Sequence, residues 1–220
     1  MSEIENEKPQ GLLERHGSWD NVYRDVKPEE LPWNAGGPDG ELVRLVESGA
    51  IPVGRAVDIG TGPGHDAVYL AQKGFKVLAV DISPKAIDLA RSNARTARMN
   101  VAIDFRVEDV LKLSSPAGSA NFVNDRACLH TLEASSRETY VRRIGDLLAP
   151  TGQLLLRTFS EKEPAGPGPH RFTRQELEDL FLPRFDFLEF GDTVLEGPRK
   201  PQAYFCLMQK KAPVKGPPRK

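Results

Sequence analysis

The sequence predicts an α/β protein: a doubly wound, mostly parallel seven-stranded sheet with helices on both faces and an antiparallel hairpin at its C-terminal end. Three observations carry that expectation. Short apolar runs alternate with segments of helical period from Arg55 onward, the pattern of strand–helix–strand units in a parallel sheet. The first apolar run ends in a cluster of glycines, where a strand turns sharply into a helix. The last two runs are joined only by the turn-rich stretch GDTVLEGPRKP. That link is too short for a parallel crossover, so the two strands should pair antiparallel.

Taken in order, Arg55–Ile59 (RAVDI) is the first strand. His65–Lys73 follows as a helix that turns Ala67, Leu70 and Ala71 inward and stops at Gly74. Lys76–Asp81 (KVLAVD) is the second strand. Ser83 and Pro84 supply an N-cap and a first-turn proline for a helix with Ile87, Ala90, Ala94 and Ala97 on one side. Val101–Val107 and Ala120–Val123 are the third and fourth strands. Ser135 and Glu138 have capping-box spacing ahead of a helix striped with Tyr140, Val141, Ile144, Leu147 and Leu148. Pro150-Thr151-Gly152 turns the chain into the fifth strand, Gln153–Phe159. Thr173 and Glu176 repeat the capping-box spacing before Leu177, Leu180 and Phe181, and Phe185–Phe190 and Ala203–Gln209 close the sheet. Residues 1–17 read as a polar, loose start and residues 18–210 as a single domain. Residues 211–220 are basic and proline-rich, either a solvated tail or an anion-binding arm.

Composition bounds the function. A chain of 220 residues can build one core without disulfides or a structural metal. Cys128 and Cys206 are too few for a disulfide scaffold and lack metal-ligand spacing, so a reducing cytoplasm is expected and no metal. The first ten residues, MSEIENEKPQ, do not resemble a secretory signal, and no apolar run approaches the roughly 20 residues of a membrane span. With 30 basic and 31 acidic side chains, no whole-molecule field draws nucleic acid or an anionic membrane. The expected partner is a small molecule, and the chain a monomer or a dimer.

In an open α/β sheet, ligands bind beyond the carboxyl ends of the strands. Asp58-Ile59-Gly60-Thr61-Gly62-Pro63-Gly64 lies there, after the first strand, and Asp81 ends the second strand 21 residues beyond Gly60. Glycines let a ligand press against the backbone, and a strand-terminal carboxylate can accept from both hydroxyls of a ribose. A nucleoside-type cofactor is therefore expected. A dinucleotide fingerprint would place glycine at position 65, where His65 stands, and Asp58 adds negative charge at the corner a pyrophosphate prefers. Asp58 suits a cofactor carrying an ammonium group.

These residues resemble motif I of the class I S-adenosylmethionine-dependent methyltransferases, an acid followed by G-x-G-x-G, and the resemblance runs from about Trp19 to Lys210. It implies a Rossmann-like methyltransferase fold and S-adenosyl-L-methionine as cofactor. It further implies that Gly60, Thr61, Gly62 and Gly64 form the cofactor loop. Asp81 would hold the ribose with Ile82 beside the adenine, and Asp109 and Val110 would meet the adenine edge. Asp109 is otherwise a loop acid or a cap. Asn124-Asp125-Arg126-Ala127-Cys128-Leu129-His130 follows the fourth strand. The D-R-x-x-x-H pattern is similar to thiopurine, thiol/halide and tellurite methyltransferases, with Ala127 where their D-R-G has glycine. Arg126 then contacts the cofactor, with Asp125 or the cofactor carboxylate as its partner.

Trp19, Tyr23 and Trp33 match the W-D-x-x-Y … P-W start of the same group, within an aromatic cover over residues 18–40. They are either walls for a sulfonium or a hydrophobic clasp. Ser160–Phe172 is long and Gly/Pro-rich and reads as a lid in which His170 and Arg171 would meet an anionic substrate or stay on the surface. Asp125 and His130 also stand on the substrate side. His130 is the one candidate base and is otherwise a packing residue; a soft thiolate, halide or metalloid anion needs none. The expected reaction is in-line methyl transfer to such an acceptor. A hydroxylated or quinone-like metabolite is the alternative, ahead of an NAD-dependent oxidoreductase or a non-catalytic cofactor-binding module.

Overall fold

In the computed structural model, which describes residues 9–99, 102–166 and 168–212, seven strands form one sheet in the order β3-β2-β1-β4-β5-β7-β6. The strands are β1 Arg55–Ile59, β2 Lys76–Asp81, β3 Ile103–Val107, β4 Ala120–Arg126, β5 Leu148–Phe159, β6 Phe185–Val194 and β7 Gln202–Lys210. β1 to β5 pair in parallel, whereas β7 lies antiparallel between β5 and β6. The expected sheet and its antiparallel terminal hairpin are both present, with the second arm of the hairpin on the inside.

The helices are α1 Pro9–His16, α2 Trp19–Asp25, α3 Gly40–Glu47, α4 His65–Gln72, α5 Pro84–Thr96, α6 Arg137–Leu147 and α7 Arg174–Phe181. Side chains alternate across each strand, and two cores follow from that alternation. Ala56, Phe122 and Leu155 pack with α3, α4 and α5 on one face. Val57, Val123, Leu154 and Leu156 pack with α6 and α7 on the other. Burying such leucines stabilises the sheet by about 1.5–3 kcal/mol each. The chain reverses direction across the sheet between β1 and β4, which places a crevice at their carboxyl ends.

The helix signals mostly hold. Ser83 caps α5 by accepting from the Ala86 N–H at 3.0 Å, and Gly74 ends the α4 turn with φ of +89°. Thr173 and Glu176 form the complete capping box of α7. Several expectations are corrected. Residues 9–16, read as loose, form α1, because Leu12 is fully buried against Val22, Val26 and Leu31; residues 1–8 and 213–220 lie outside the described residues. The Ser135 cap does not form: Ala134–Ser136 is already a 3-10 turn running into α6, and neither serine caps through its side chain. β4 extends to Arg126, so Asn124, Asp125 and Arg126 lie in the strand rather than after it. The Pro150-Thr151-Gly152 turn does not precede β5 but interrupts it, the partner of β4 jumping from Leu148 to Gln153. Ala97 lies past the end of α5, β3 runs from Ile103 while Val101 of the expected strand lies outside the described residues, and α3, with Asp39 as its N-cap, is a further helix. Cys128 and Cys206 are free.

Candidate functional site

The glycine loop is built by its own backbone. Gly62 has φ of +51° and Gly64 of +79°, a region that side chains with a Cβ rarely adopt. A Cβ at 62 would sit 2.8 Å from Tyr23 Oη, and one at 64 would sit 2.8 Å from Ala90 Cβ. The loop is thus pressed between the aromatic cover and α5. Its N–H groups reach back to the second strand: Thr61 N donates to Val80 O at 3.0 Å and Gly62 N to Asp81 Oδ2 at 3.0 Å. Asp81 Oδ1 accepts from Ser83 N at 2.9 Å. Burial pushes the Asp81 carboxyl up to about 6 against those bonds.

Beneath the loop lies a buried charge network. Arg157 is wholly inaccessible, near the carboxyl end of β5. Its guanidinium meets Asp39 Oδ1 at 3.0 Å and Asp66 Oδ2 at 2.8 Å, and Nη1 donates to Asn124 Oδ1 at 2.7 Å. Asn124 Nδ2 donates in turn to Asp58 Oδ1 at 2.7 Å and Asp66 Oδ2 at 3.1 Å. Thr61 Oγ1 donates to Asp58 Oδ2. Burial, and then the charge of Asp66, push the Asp58 carboxyl upward; Thr61, Asn124 and Arg157 oppose the rise. Three buried aspartates thus face one buried arginine and Arg126, whose Nε is 3.6 Å from Asp39. Such a site is short of positive charge.

Sequence reasoning missed four members of this network: Asp39, Asp66, Asn124 and Arg157. One signal was readable, an arginine inside the apolar run Leu154-Leu155-Leu156-Arg157, since a buried arginine demands carboxylates.

One cleft brings most of the predicted residues together. It is lined by Trp19, Tyr23, Trp33, Asp58, Gly60, Thr61, Gly62, Asp81, Ile82, Asp109, Val110, Arg126 and His130. Gly64 stands behind it, against α5. Ile82 is 56% exposed where it lines the cleft, an apolar side chain more than half uncovered. Asp109 caps a 3-10 turn through Leu111 N at 2.9 Å, so the capping role holds and its other oxygen is 3.9 Å from Lys112 Nζ.

The aromatic cover is latched to the loop. Trp33 Nε1 donates to Tyr23 Oη at 2.9 Å, and Trp33 meets Trp19 edge-on at 5.7 Å. Asp20 Oδ1 accepts from Ser83 Oγ at 3.0 Å and Lys85 N at 2.9 Å, on the positive end of α5. His65 Nε2 lies 3.0 Å from Asn34 Oδ1. Clasp and cleft wall are one structure.

On the far side, three expectations change. The Asp125–Arg126 pair does not form, because neighbours in a strand point to opposite faces. Asp125 turns toward α6, accepts from Tyr140 Oη at 2.6 Å, Cys128 N at 2.8 Å and Leu129 N at 3.1 Å, and does not line the cleft. Arg126 Nη2 instead donates to Glu196 O at 2.6 Å. His170 and Arg171 do not line the cleft either: His170 Nε2 bonds Glu176 at 3.0 Å, and Arg171 Nη2 donates to Gly166 O at 3.0 Å. His130 does line it, with Leu132, Phe159 and Leu195 as apolar neighbours. The Phe159 N–H donates to His130 Nδ1 at 3.2 Å, so the basic nitrogen is already engaged.

The cleft fits an S-adenosylmethionine-type group. The Gly62 N–H and Asp81 frame one end, Ile82 offers an apolar face, and the acid surplus around Asp58 with the aromatic cover suits a cation. Among the described residues no cluster has metal-ligating composition, and no helix is long and apolar enough to cross a membrane.

Comparison with known proteins agrees with this geometry. Residues 14–215 match the family model described as Thiopurine S-methyltransferase. A 2-heptyl-1-hydroxyquinolin-4(1H)-one methyltransferase of Mycobacteroides abscessus is 29% identical over 74% of the chain and 73% of its own length. A probable thiol methyltransferase 2 of Arabidopsis thaliana is 29% identical over 84% of the chain and 80% of its own length. A solved structure reported for the conversion of a disulfide bond into a thioacetal group during echinomycin biosynthesis superimposes with a TM-score of 0.78. It covers 90% of the chain and 93% of its own at 23% identity, a likeness of fold.

Proposed function

The chain belongs to the thiopurine S-methyltransferase family and is an S-adenosylmethionine-dependent small-molecule methyltransferase; from that premise we propose that its acceptor is a soft or acidic nucleophile that arrives as an anion. The observation that carries the reading is the acceptor side of the cleft. It presents Leu132, Phe159 and Leu195, and the His130 imidazole beside them has its basic nitrogen bonded to the backbone, while the cleft's other imidazole, His65, is held against Asn34. An acceptor that needs no base suits such a wall. A thiolate, a halide or an acidic hydroxyl qualifies; the name of the mycobacterial relative speaks for the last.

When bound, the cofactor supplies a methyl group on a cationic sulfur, whose carbon–sulfur bond breaks as the acceptor's lone pair forms the new one. The chain's own residues bind, orient and exclude water. In this reading Asp58 takes the ammonium, Asp81 the ribose hydroxyls, Ile82 and Val110 the adenine faces and Asp109 its edge. Trp19, Tyr23 and Trp33 close over the methionine end, and Arg126, fixed by Glu196 and near Asp39, borders it. The family match sets aside the nicotinamide oxidoreductase and the non-catalytic module. Calorimetry with S-adenosylhomocysteine, followed by product assays on thiols, halides and acidic hydroxy-heteroaromatics, tests the reading. Binding of the product together with turnover of one of these classes is the expected result. Turnover of neutral amines alone would overturn it.

A further inference from the structure

Resting on that reading, we propose that His130 selects the acceptor, as a fixed neutral hydrogen-bond donor whose Nε2–H receives a thiolate or oxyanion. His130 is 2% exposed, yet it lines the cleft next to Thr131 and Leu132. The Phe159 N–H donates to Nδ1 at 3.2 Å, which is possible only while that nitrogen is unprotonated. The ring proton therefore sits on Nε2. Among the described residues no partner bonds Nε2, and it is not one of the enclosed polar atoms left without one. It therefore has access to the cleft.

The bond from Phe159 N to Nδ1 fixes which edge of the ring faces the cleft. The ring stands edge-on to Phe159 with centroids 4.6 Å apart, and the His130 carbonyl accepts from His170 N at 3.2 Å. The charged groups that act on it are His170 and Arg137, both of like sign; burial and then these two push its ionisation down to about 3. A donor of this kind stabilises an anion more than the conjugate acid, which still carries its own proton. The acceptor's proton is then lost to solvent before binding, and none moves as the new bond to carbon forms. The site so built discriminates by acceptor acidity. A general base would need a free ring nitrogen, and here the free position is an N–H.

The full chain is assayed with S-adenosylmethionine and para-substituted thiophenols of graded acidity, with release of S-adenosylhomocysteine followed against pH. The midpoint of the rise in kcat/KM is expected to track each thiophenol's own pKa. A midpoint near about 6.5 shared by all acceptors would mark an enzyme base and overturn the proposal. His130→Phe keeps a ring against Phe159 and deletes the donor; kcat/KM should fall roughly 10- to 100-fold, as for loss of a hydrogen bond to a charged group. His130→Gln, which restores a side-chain N–H, should recover most of the loss. An unchanged kcat/KM in His130→Phe overturns the assignment, while equal S-adenosylhomocysteine affinity by calorimetry shows that the fold is intact. If His130→Phe also loses that affinity, the wild-type pH series decides. Turnover that is indifferent to residue 130 sinks only this inference; no methylated product from any acceptor sinks the proposed function as well.

Discussion

Replacing Asp58 by asparagine separates what the site does for binding from what it does to the unliganded fold. Burial and the charge of Asp66 move the Asp58 ionisation from 3.8 to about 7. Ionising it therefore costs the unliganded protein stability at neutral pH and above. The folded-state value lies above the unfolded one. The cost is therefore absent below pH 3.8, grows between pH 3.8 and about 7, and is constant beyond. Asparagine removes the charge but turns an amide N–H₂ toward either Thr61 Oγ1 or Asn124 Nδ2, a lost bond of about 1–2 kcal/mol. Asp58→Asn should thus gain stability relative to the wild type as the pH rises from 5 to 8. Urea titrations without cofactor at the two pH values measure this. Affinity for S-adenosylhomocysteine at pH 8 should meanwhile fall roughly 10- to 100-fold as the ammonium loses its partner. A stability difference that is the same at both pH values, or an unchanged affinity, would refute the reasoning.

Arg157→Leu leaves Asp66 buried without its cation and Asp39 with Arg126 alone, and should cost about 3–5 kcal/mol in urea titration; a loss under about 1 kcal/mol would contradict the network. Ala127 holds φ of +69° where the D-R-G pattern has glycine, so Ala127→Gly should stabilise by about 0.5–1 kcal/mol and raise Tm by a few degrees. Ile82→Ala should leave Tm nearly unchanged, since the side chain is 56% exposed, while weakening S-adenosylhomocysteine roughly 3- to 10-fold in calorimetry.

Much of the fold is legible because it is local. Ser83-Pro84, Gly74 and the Thr173/Glu176 box act through bonds to residues a turn away, and the periodicity of the strands needs no partner to be seen. The cleft is legible where one loop carries it, as from Asp58 to Gly64. What escapes is long-range. Asp66 and Arg157 are 91 positions apart, and only the β1-β4-β5 order brings their faces together. Asp125 shows how strand length decides a role: ending β4 at Val123 leaves Asp125 free to face Arg126, whereas a strand that runs to Arg126 turns it away. Ser135 has the right spacing but sits inside a turn that already continues the helix.

The position of β7 bears on how the chain is made. β6 leaves the ribosome before β7, yet β7 is its one neighbour in the sheet. Until Gln202–Lys210 has emerged, β6 has nothing to pair with, and β5 presents Leu154, Leu155 and Leu156 along an open edge. Such an edge is a template for another chain. Closure of the sheet is therefore a late, non-local step of the kind that folds slowly. Substitutions in β7 that delay its insertion should act first on the yield of native protein during synthesis, even where the finished molecule is as stable as before.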